Sequence, residues 1–348
     1  MARIIVAMSG GVDSSVAAAL LLEEGHDVVG ATMKLWGGRS DSGCCSVADV
    51  EDARRVAHQL GIDHHVFNFT DDFDAHVVAP YVAAHAAGKT PNPCVECNRH
   101  LKFDRFLARA RQLGFDAVAT GHHARIVRED DGRWGLRRGA DVGKDQSYVL
   151  SMLGQDELSR VRLPVGELTK TEVRARAAAT GLRTAGKPDS QDVCFILATD
   201  GGRATFLGDR IALHPGRVVD TSGRDIGAVD AVELVTVGQR RGLSAGGGER
   251  RFALSVDTAS ATVVVGTEGE LAVTELSLVD ETWTDRMPLA AGTRVMVQTS
   301  AHAVAVAATY EGDGRVALDA PQRRVAPGQT VAFYDEDDAS VVGSGVAT

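Results

Sequence analysis

The string "SGGVDSS", Ser9 to Ser15, lies between an apolar β-type run at Ile4 to Ala7 and a stretch of helical pattern, and its residue types suit one task. Glycines at 10 and 11 clear side chains from a tight turn, so successive backbone N–H groups converge on an anion at the start of the following helix. Ser9, Ser14 and Ser15 add hydroxyl donors, and Asp13 is placed to hold a magnesium ion or its waters. The string has neither the lysine of a P-loop nor the spacing of a dinucleotide fingerprint. A phosphate loop of another kind is expected.

A second set of reactive residues is sulfur. In "GKTPNPCVECNRHLKF", Gly88 to Phe103, Pro91 and Pro93 bracket Asn92 and predict a stiff, extended loop that presents Cys94 and Cys97 ahead of a helix starting near Asn98. The helix N-terminus and the charges of Arg99, His100 and Lys102 favour a thiolate at Cys97. The alternative, half of a structural zinc site, lacks a second Cys-x-x-Cys. Cys194 follows the polar string "DSQD" in "KPDSQDVCFIL", which predicts a loop entering a strand at a sheet edge; a buried core cysteine is the plain alternative. Cys44 and Cys45 are adjacent and suggest no role. Five cysteines in 348 residues do not make a disulfide framework.

These groups need a scaffold. Runs at Ile4 to Ala7, Val28 to Met33, His65 to Phe69 and Ala117 to Thr120 alternate with amphipathic stretches, the pattern of a doubly wound α/β domain with a mostly parallel sheet. Thr169 and Glu172 have capping-box spacing at the start of a further helix, and Gly181 supplies a stop. Beyond about residue 205 short β-type runs punctuated by glycine predict a small β domain and then a β-barrel. The expected domains are 1–204, 205–270 and 271–348, with the glycine-rich stretch around Gly247 a mobile loop inside the second. No stretch approaches the roughly 20 apolar residues of a membrane span, and the start runs straight into Ile4, Ile5 and Val6, so a cytoplasmic protein is expected. A net charge of -10 argues against a chain-wide attraction to nucleic acid. Basic residues nevertheless gather between Arg99 and Arg111, at Arg137 and Arg138, at Arg240 and Arg241, and at Arg323 and Arg324.

Taken in order, several strings resemble one family, the tRNA-specific 2-thiouridylases, or MnmA enzymes. They are "AMSGGVDSS" at Ala7, "TMKLW" with Met33, "TPNPCVECNRHLKF" at Thr90, "ATGHHARI" at Ala119, "KDQSYVL" at Lys144, "LPVGELTKTEVR" at Leu163, "DSQDVCFI" at Asp189 and "TVGQRRGL" at Thr236. The likeness is strong over about the first 245 residues and weaker to "VAPGQTVAFY". It implies an ATP pyrophosphatase-type domain in which Ala7, Met8, Ser9, Gly10, Gly11, Val12, Asp13 and Ser14 hold ATP, with Met33 and Gly121 near adenosine and Mg2+ reaching Asp13 through the nucleotide. It implies that O2 of the wobble uridine, position 34, is adenylated, and that sulfur carried on Cys194 as a persulfide replaces it. Cys97 is then the partner nucleophile, releasing hydrosulfide or forming a transient disulfide with Cys194. Further implied are tRNA contacts at Asn92, Pro93 and Cys94 with the target base, and at His122, Lys144, Asp145, Gln146 and Gln329. The partners are tRNAs of the Lys, Glu and Gln type and a sulfur-relay protein that donates the persulfide.

The chain departs from the family at three places. Cys94 stands where many members have Asp, His123 where Tyr is usual, and Ser300 and Ala301 replace residues that would meet tRNA. The first departure suggests an alternative in which Cys94, Cys97 and Cys194 hold a [4Fe-4S] cluster that binds sulfide. Another adenylating synthetase with the same loop, or a non-catalytic metal-binding RNA module, are the remaining alternatives.

Overall fold

The computed structural model describes residues 1–36, 46–188, 193–196, 202–245, 250–285 and 287–348. Cys44, Cys45, the "DSQD" string and the glycine-rich stretch at 246–249 lie outside the described residues. The four β-type runs of the first half form strands β1 (Arg3–Ala7), β2 (Asp27–Lys34), β3 (His64–Asn68) and β4 (Ala117–Ala119). A hairpin of β5 (Ala124–Arg128) and β6 (Trp134–Arg138) follows, then the short β7 (Val161–Arg162).

Strands β1, β2, β3, β4 and β7 make a parallel sheet in the order β3-β2-β1-β4-β7. Successive residues of β1 serve opposite faces, as strand geometry dictates. Ile4 and Val6 pack with Val16 and Leu21 of α1 (Val12–Glu23), Val56 of α2 (Val47–Leu60), and Val173 of the helix Lys170–Ala179. Ile5 and Ala7 pack on the other side with Phe73, Tyr81, Leu101 and Phe106, from helices spanning 70–86 and 93–112. Strand order reverses between β1 and β4, so the crevice beyond their carboxyl ends is where such a fold gathers ligands.

The helix at 93–112 corrects one expectation. It starts at Pro93 rather than near Asn98, because Asn92 caps it, its side chain accepting the Cys94 N–H at 3.0 Å, and Pro93 needs no donor in the first turn. Cys94 therefore sits in the first turn of the helix and Cys97 one turn further in, not on a loop before it. From Cys97 to Phe106 the helix is wound as π, a form frequent at functional sites.

The second sheet joins β8 (Gly216–Asp220), β9 (Asp225–Val229), β10 (Ser244–Ala245), β11 (Phe252–Asp257) and β12 (Thr262–Gly266) around Val218, Val232 and Val263. Strands β13 (Ala272–Trp283), β14 (Thr293–Gln298), β15 (Val306–Gly312), β16 (Arg315–Arg323), β17 (Thr330–Tyr334) and β18 (Ser340–Ala347) are antiparallel. Pairing of β13 with β18 closes these strands into a barrel. One feature escaped the sequence reading: β6 adds to β18, with Leu136 opposite Val341, so the β5–β6 hairpin extends the barrel's sheet. The alternation that decides its partner is fixed by long-range burial of Leu136, not by local pattern.

Candidate active site

The loop after β1 is built to stay open. Gly10 adopts φ +71°, and a Cβ there would lie 2.3 Å from the Asp49 carbonyl oxygen, so α2 backs the turn closely. Lys187 staples this backing, donating to the Gly10 carbonyl at 3.0 Å and to Asp49 and Asp52 at 2.7 and 2.9 Å. The Ser14 hydroxyl accepts the Ser9 N–H at 3.2 Å, which folds the loop back on the helix start. Ser15, expected to donate to an anion, is fully buried and donates instead to the Gly11 carbonyl at 2.8 Å. On the opposite wall Gly121 follows β4. A Cβ there would fall 2.5 Å from the Ser14 nitrogen.

Asp13 is the charged centre of this wall. Its two oxygens accept from the Lys170 ammonium at 2.8 and 2.7 Å, and one also accepts from His123 Nε2 at 3.1 Å. Burial pushes the Asp13 carboxyl up, but these hydrogen bonds and the neighbouring cationic charge outweigh it and hold it below the usual carboxylate range. The carboxylate thus stands between Lys170 and His123 at the edge of the loop. A magnesium ion carried on the phosphates of a nucleotide still fits the loop.

Loop, thiols and the polar residues around them line one cavity of about 730 Å³. Every site residue expected from the sequence lines it except Gly10, which faces α2, the buried Ser15, and Gln329. Cys97 and Cys194 are both half-buried and packed against the same apolar cluster, which includes Phe73, Phe195 and Leu35. Cys94 is exposed. Among the described residues no group of three or more His, Cys, Asp or Glu could hold a metal ion, so the three thiols do not form the cluster cradle considered from the sequence. The physical difference is one of placement: two thiols lean on an apolar core while Cys94 is exposed at the cavity wall.

Comparison with known proteins is decisive here. A family model described as "tRNA methyl transferase HUP domain" matches residues 2–198, one described as "tRNA methyl transferase PRC-barrel domain" matches 204–267, and one described as "Aminomethyltransferase beta-barrel domain" matches 268–347. The tRNA-specific 2-thiouridylase MnmA of Chloroflexus aurantiacus is 49% identical over 342 residues, covering 96% of this chain and 95% of that protein. That of Chloroflexus aggregans is 48% identical over 353 residues, covering 99% and 98%. The chain belongs to the MnmA family of tRNA-specific 2-thiouridylases. Among solved structures, the U34-tRNA thiolase NcsA from Methanococcus maripaludis with its [4Fe-4S] cluster is 19% identical over 60% of this chain and 65% of that one. Its TM-score is 0.36, a distance that carries no argument about this chain's chemistry.

In this MnmA family member, most of the positions at which the resemblance implies tRNA contacts are already engaged within the chain. His122 lines the cavity but is buried, with Nδ1 on the Thr120 hydroxyl at 2.7 Å and Nε2 accepting from Lys102 at 3.4 Å. Burial and then the Lys102 charge push its pKa well below the ordinary histidine value, which leaves a neutral ring. Asp145 is likewise engaged, accepting from Arg138 at 2.8 Å and from the Ser147 hydroxyl at 2.8 Å. Gln146 accepts the His123 N–H at 2.9 Å. Gln329 of the barrel donates to the Thr90 carbonyl, so it braces the segment before Asn92 from behind. Of the basic residues flagged in the sequence, Arg324 donates to the Leu254 carbonyl and Arg323 to the Gly238 carbonyl, tying barrel to central domain.

Among the cavity-lining polar residues of this MnmA chain, Asn98 and Lys170 were not singled out as site residues from the sequence, and Lys102 was named only for its charge beside Cys97. Asn98 donates to the Val149 carbonyl at 2.9 Å and keeps Oδ1 buried without a partner among the described residues. One helical turn separates Asn98 from Lys102, a spacing that would have placed both on the face beside Cys97. For Lys170 no local signal existed, since it approaches Asp13 across 157 positions.

Proposed function

We propose that this chain converts the wobble uridine of tRNA to 2-thiouridine by adenylating O2 and replacing it with sulfur from a cysteine persulfide. The observation that supports this best is the meeting of the phosphate loop with Cys97 and Cys194 on one cavity. The loop fixes the triphosphate of ATP so that O2 of the uridine attacks the α-phosphorus, the bond to the β-phosphate breaks, and pyrophosphate leaves. The base gives up its N3 proton. Magnesium enters on the nucleotide's phosphates and offsets their charge. The terminal sulfur of a Cys194 persulfide then attacks C2, and AMP departs as the C2–O bond breaks. The Cys97 thiolate attacks the Cys194 sulfur, so the S–S bond breaks in favour of C2=S and a Cys97–Cys194 disulfide remains. A reducing thiol supplies two electrons before the next turnover.

The finer assignments are ours as well. Asn92, Pro93 and Cys94, on the capped first turn beside Cys97, meet the flipped base. Lys144 and Gln146 touch the anticodon arm, Asp145 positions that segment, and His122 shapes the pocket as a neutral ring. The tRNAs are of the Lys, Glu and Gln type, the sulfur comes from a relay protein bearing a persulfide, and the reaction belongs in the cytoplasm. No helix among the described residues is long and apolar enough to cross a membrane.

Iron-free protein, unmodified tRNA, ATP with Mg2+ and a persulfide donor make the test, with 2-thiouridine read by nuclease digestion and mass spectrometry. Wild type and Cys94→Ser form the thiolated base. Cys97→Ser and Cys194→Ser lose it by at least about a hundredfold, while tRNA-dependent exchange of pyrophosphate into ATP persists in both, because adenylation needs no thiol. Thiolation that survives Cys194→Ser, or that requires bound iron, overturns the reading.

A further inference from the structure

The nucleotide loop carries a negative charge at Asp13 and, in "SGGVDSS", no cation to meet a triphosphate. A P-loop solves that problem with a lysine of its own. Here an ammonium arrives from elsewhere in the chain. Lys170 opens the helix Lys170–Ala179, and its side chain is only 12% exposed where it reaches both Asp13 oxygens. Lys170, Asp13 and the loop all line the same cavity.

The backbone that delivers Lys170 is fixed. Thr169 and Glu172 form a reciprocal capping box, and the Lys170 N–H is held by the Asp141 carboxylate at 2.8 Å. The N–H groups of Thr169, Lys170 and Glu172 are thus engaged by side chains, and the group this N-terminus presents to the loop is the Lys170 ammonium. A second observation points to a ligand at the same place. His123 bonds Asp13 through Nε2, while its Nδ1 is buried and has no hydrogen-bond partner among the described residues. Of the other cavity-lining lysines, Lys102 donates to His122 at 3.4 Å rather than to the loop.

We propose that Lys170 is the phosphate-binding cation of this site: it pairs with Asp13 when the loop is empty and turns its ammonium to the phosphate chain when ATP binds. The proposal rests on the adenylating function above and names the residue that carries the nucleotide's charge there. It makes Lys170 a catalytic residue for the first half-reaction, because pyrophosphate must be stabilised as it leaves.

The test is calorimetric titration of the full chain with ATP-Mg, inorganic pyrophosphate and adenosine, for wild type, Lys170→Met, Lys170→Arg and the double variant Asp13→Asn with Lys170→Met. In Lys170→Met the affinities for ATP and pyrophosphate are expected to fall by about ten- to a hundredfold, the range for losing one charge-assisted contact. Adenosine binding stays unchanged, and Lys170→Arg recovers part of the loss. The double variant removes both members of the ion pair and so restores charge balance; it is expected to bind pyrophosphate as poorly as Lys170→Met. If it binds like wild type, Lys170 serves only to neutralise Asp13 and the proposal falls. Wild-type pyrophosphate binding that Lys170→Met leaves intact overturns it equally. ATP binding by wild type without tRNA-dependent pyrophosphate exchange would instead refute the adenylating function, so the two failures read differently.

Discussion

His85 is 1% exposed in the contact between the first domain and the central one, its ring edge-on to Tyr81 at 4.5 Å and its Nδ1 donating to the Glu233 carbonyl at 3.3 Å. Burial, and then the charge of Arg203, push its pKa down from 6.5 to about 4 against that one bond. The folded chain refuses a proton that the unfolded chain accepts below pH 6.5. The stability this histidine contributes is therefore complete above that value and is lost as pH falls toward about 4. Thermal melts across this window should show falling midpoints for wild type and a shallower fall for His85→Phe; equal slopes would assign the effect to other groups. Legibility at this scale follows local context. Cys97 and Cys194 stood out because thiols sit beside charge and polar loop residues in the sequence itself. Lys170 did not, since a lysine in a capping box looks like any solvated helix start until the fold sets it against Asp13.

Between elements, the phosphate loop and the end of β4 touch without room for a side chain. A methyl group at Gly121 would meet the Ser14 nitrogen at 2.5 Å and the Asp13 carbonyl carbon at 2.6 Å, both backbone. Gly121→Ala must then push the loop away, at a cost of about 1–3 kcal/mol for an overpacked contact, and ATP affinity should fall with it. Denaturant melts and ATP titration of the same variant check both; an unshifted loop would leave both numbers at wild type. Strands β1, β2 and β4 were legible because they are buried on both faces and read as near-continuous apolar runs. The helix start at Pro93 was not, because two prolines read as an extended loop unless Asn92 is recognised as a cap and Pro93 as its first helical residue. The place of the β5–β6 hairpin was not legible either, since nothing near Leu136 tells that Val341 will lie opposite.

Across the whole molecule, Arg138 is the residue on which two domains agree. From β6 it bonds Asp145 at 2.8 Å and Gln298 at 3.0 Å, pairs with Asp338, and stacks 3.7 Å over the Tyr334 ring. Asp145 is only 8% exposed, so removing its cation leaves a buried carboxylate uncompensated. Arg138→Ala should cost about 3–5 kcal/mol and loosen the segment Lys144 to Gln146, weakening tRNA binding in a filter assay. Arg138→Lys should recover charge but not the forked geometry and fall between. Unchanged stability in Arg138→Ala would remove Arg138 from this role. The net charge of -10 is consistent with such a design, because several arginines flagged as a local basic surface are spent on internal bonds.

The shared sheet also sets an order of events during translation. A ribosome releases β5 and β6 some 200 residues before the strand that β6 must join, counted from Arg138 to its partner Asp338. Until β18 emerges, the nascent first domain carries an unpaired strand edge next to its own catalytic cavity, the kind of edge through which chains associate wrongly. Maturation of the segment Lys144 to Gln146, which Arg138 of β6 holds through Asp145, thus waits on the far end of the barrel, and a fragment stopping short of residue 340 would keep every reactive group while lacking the strand that β6 pairs with.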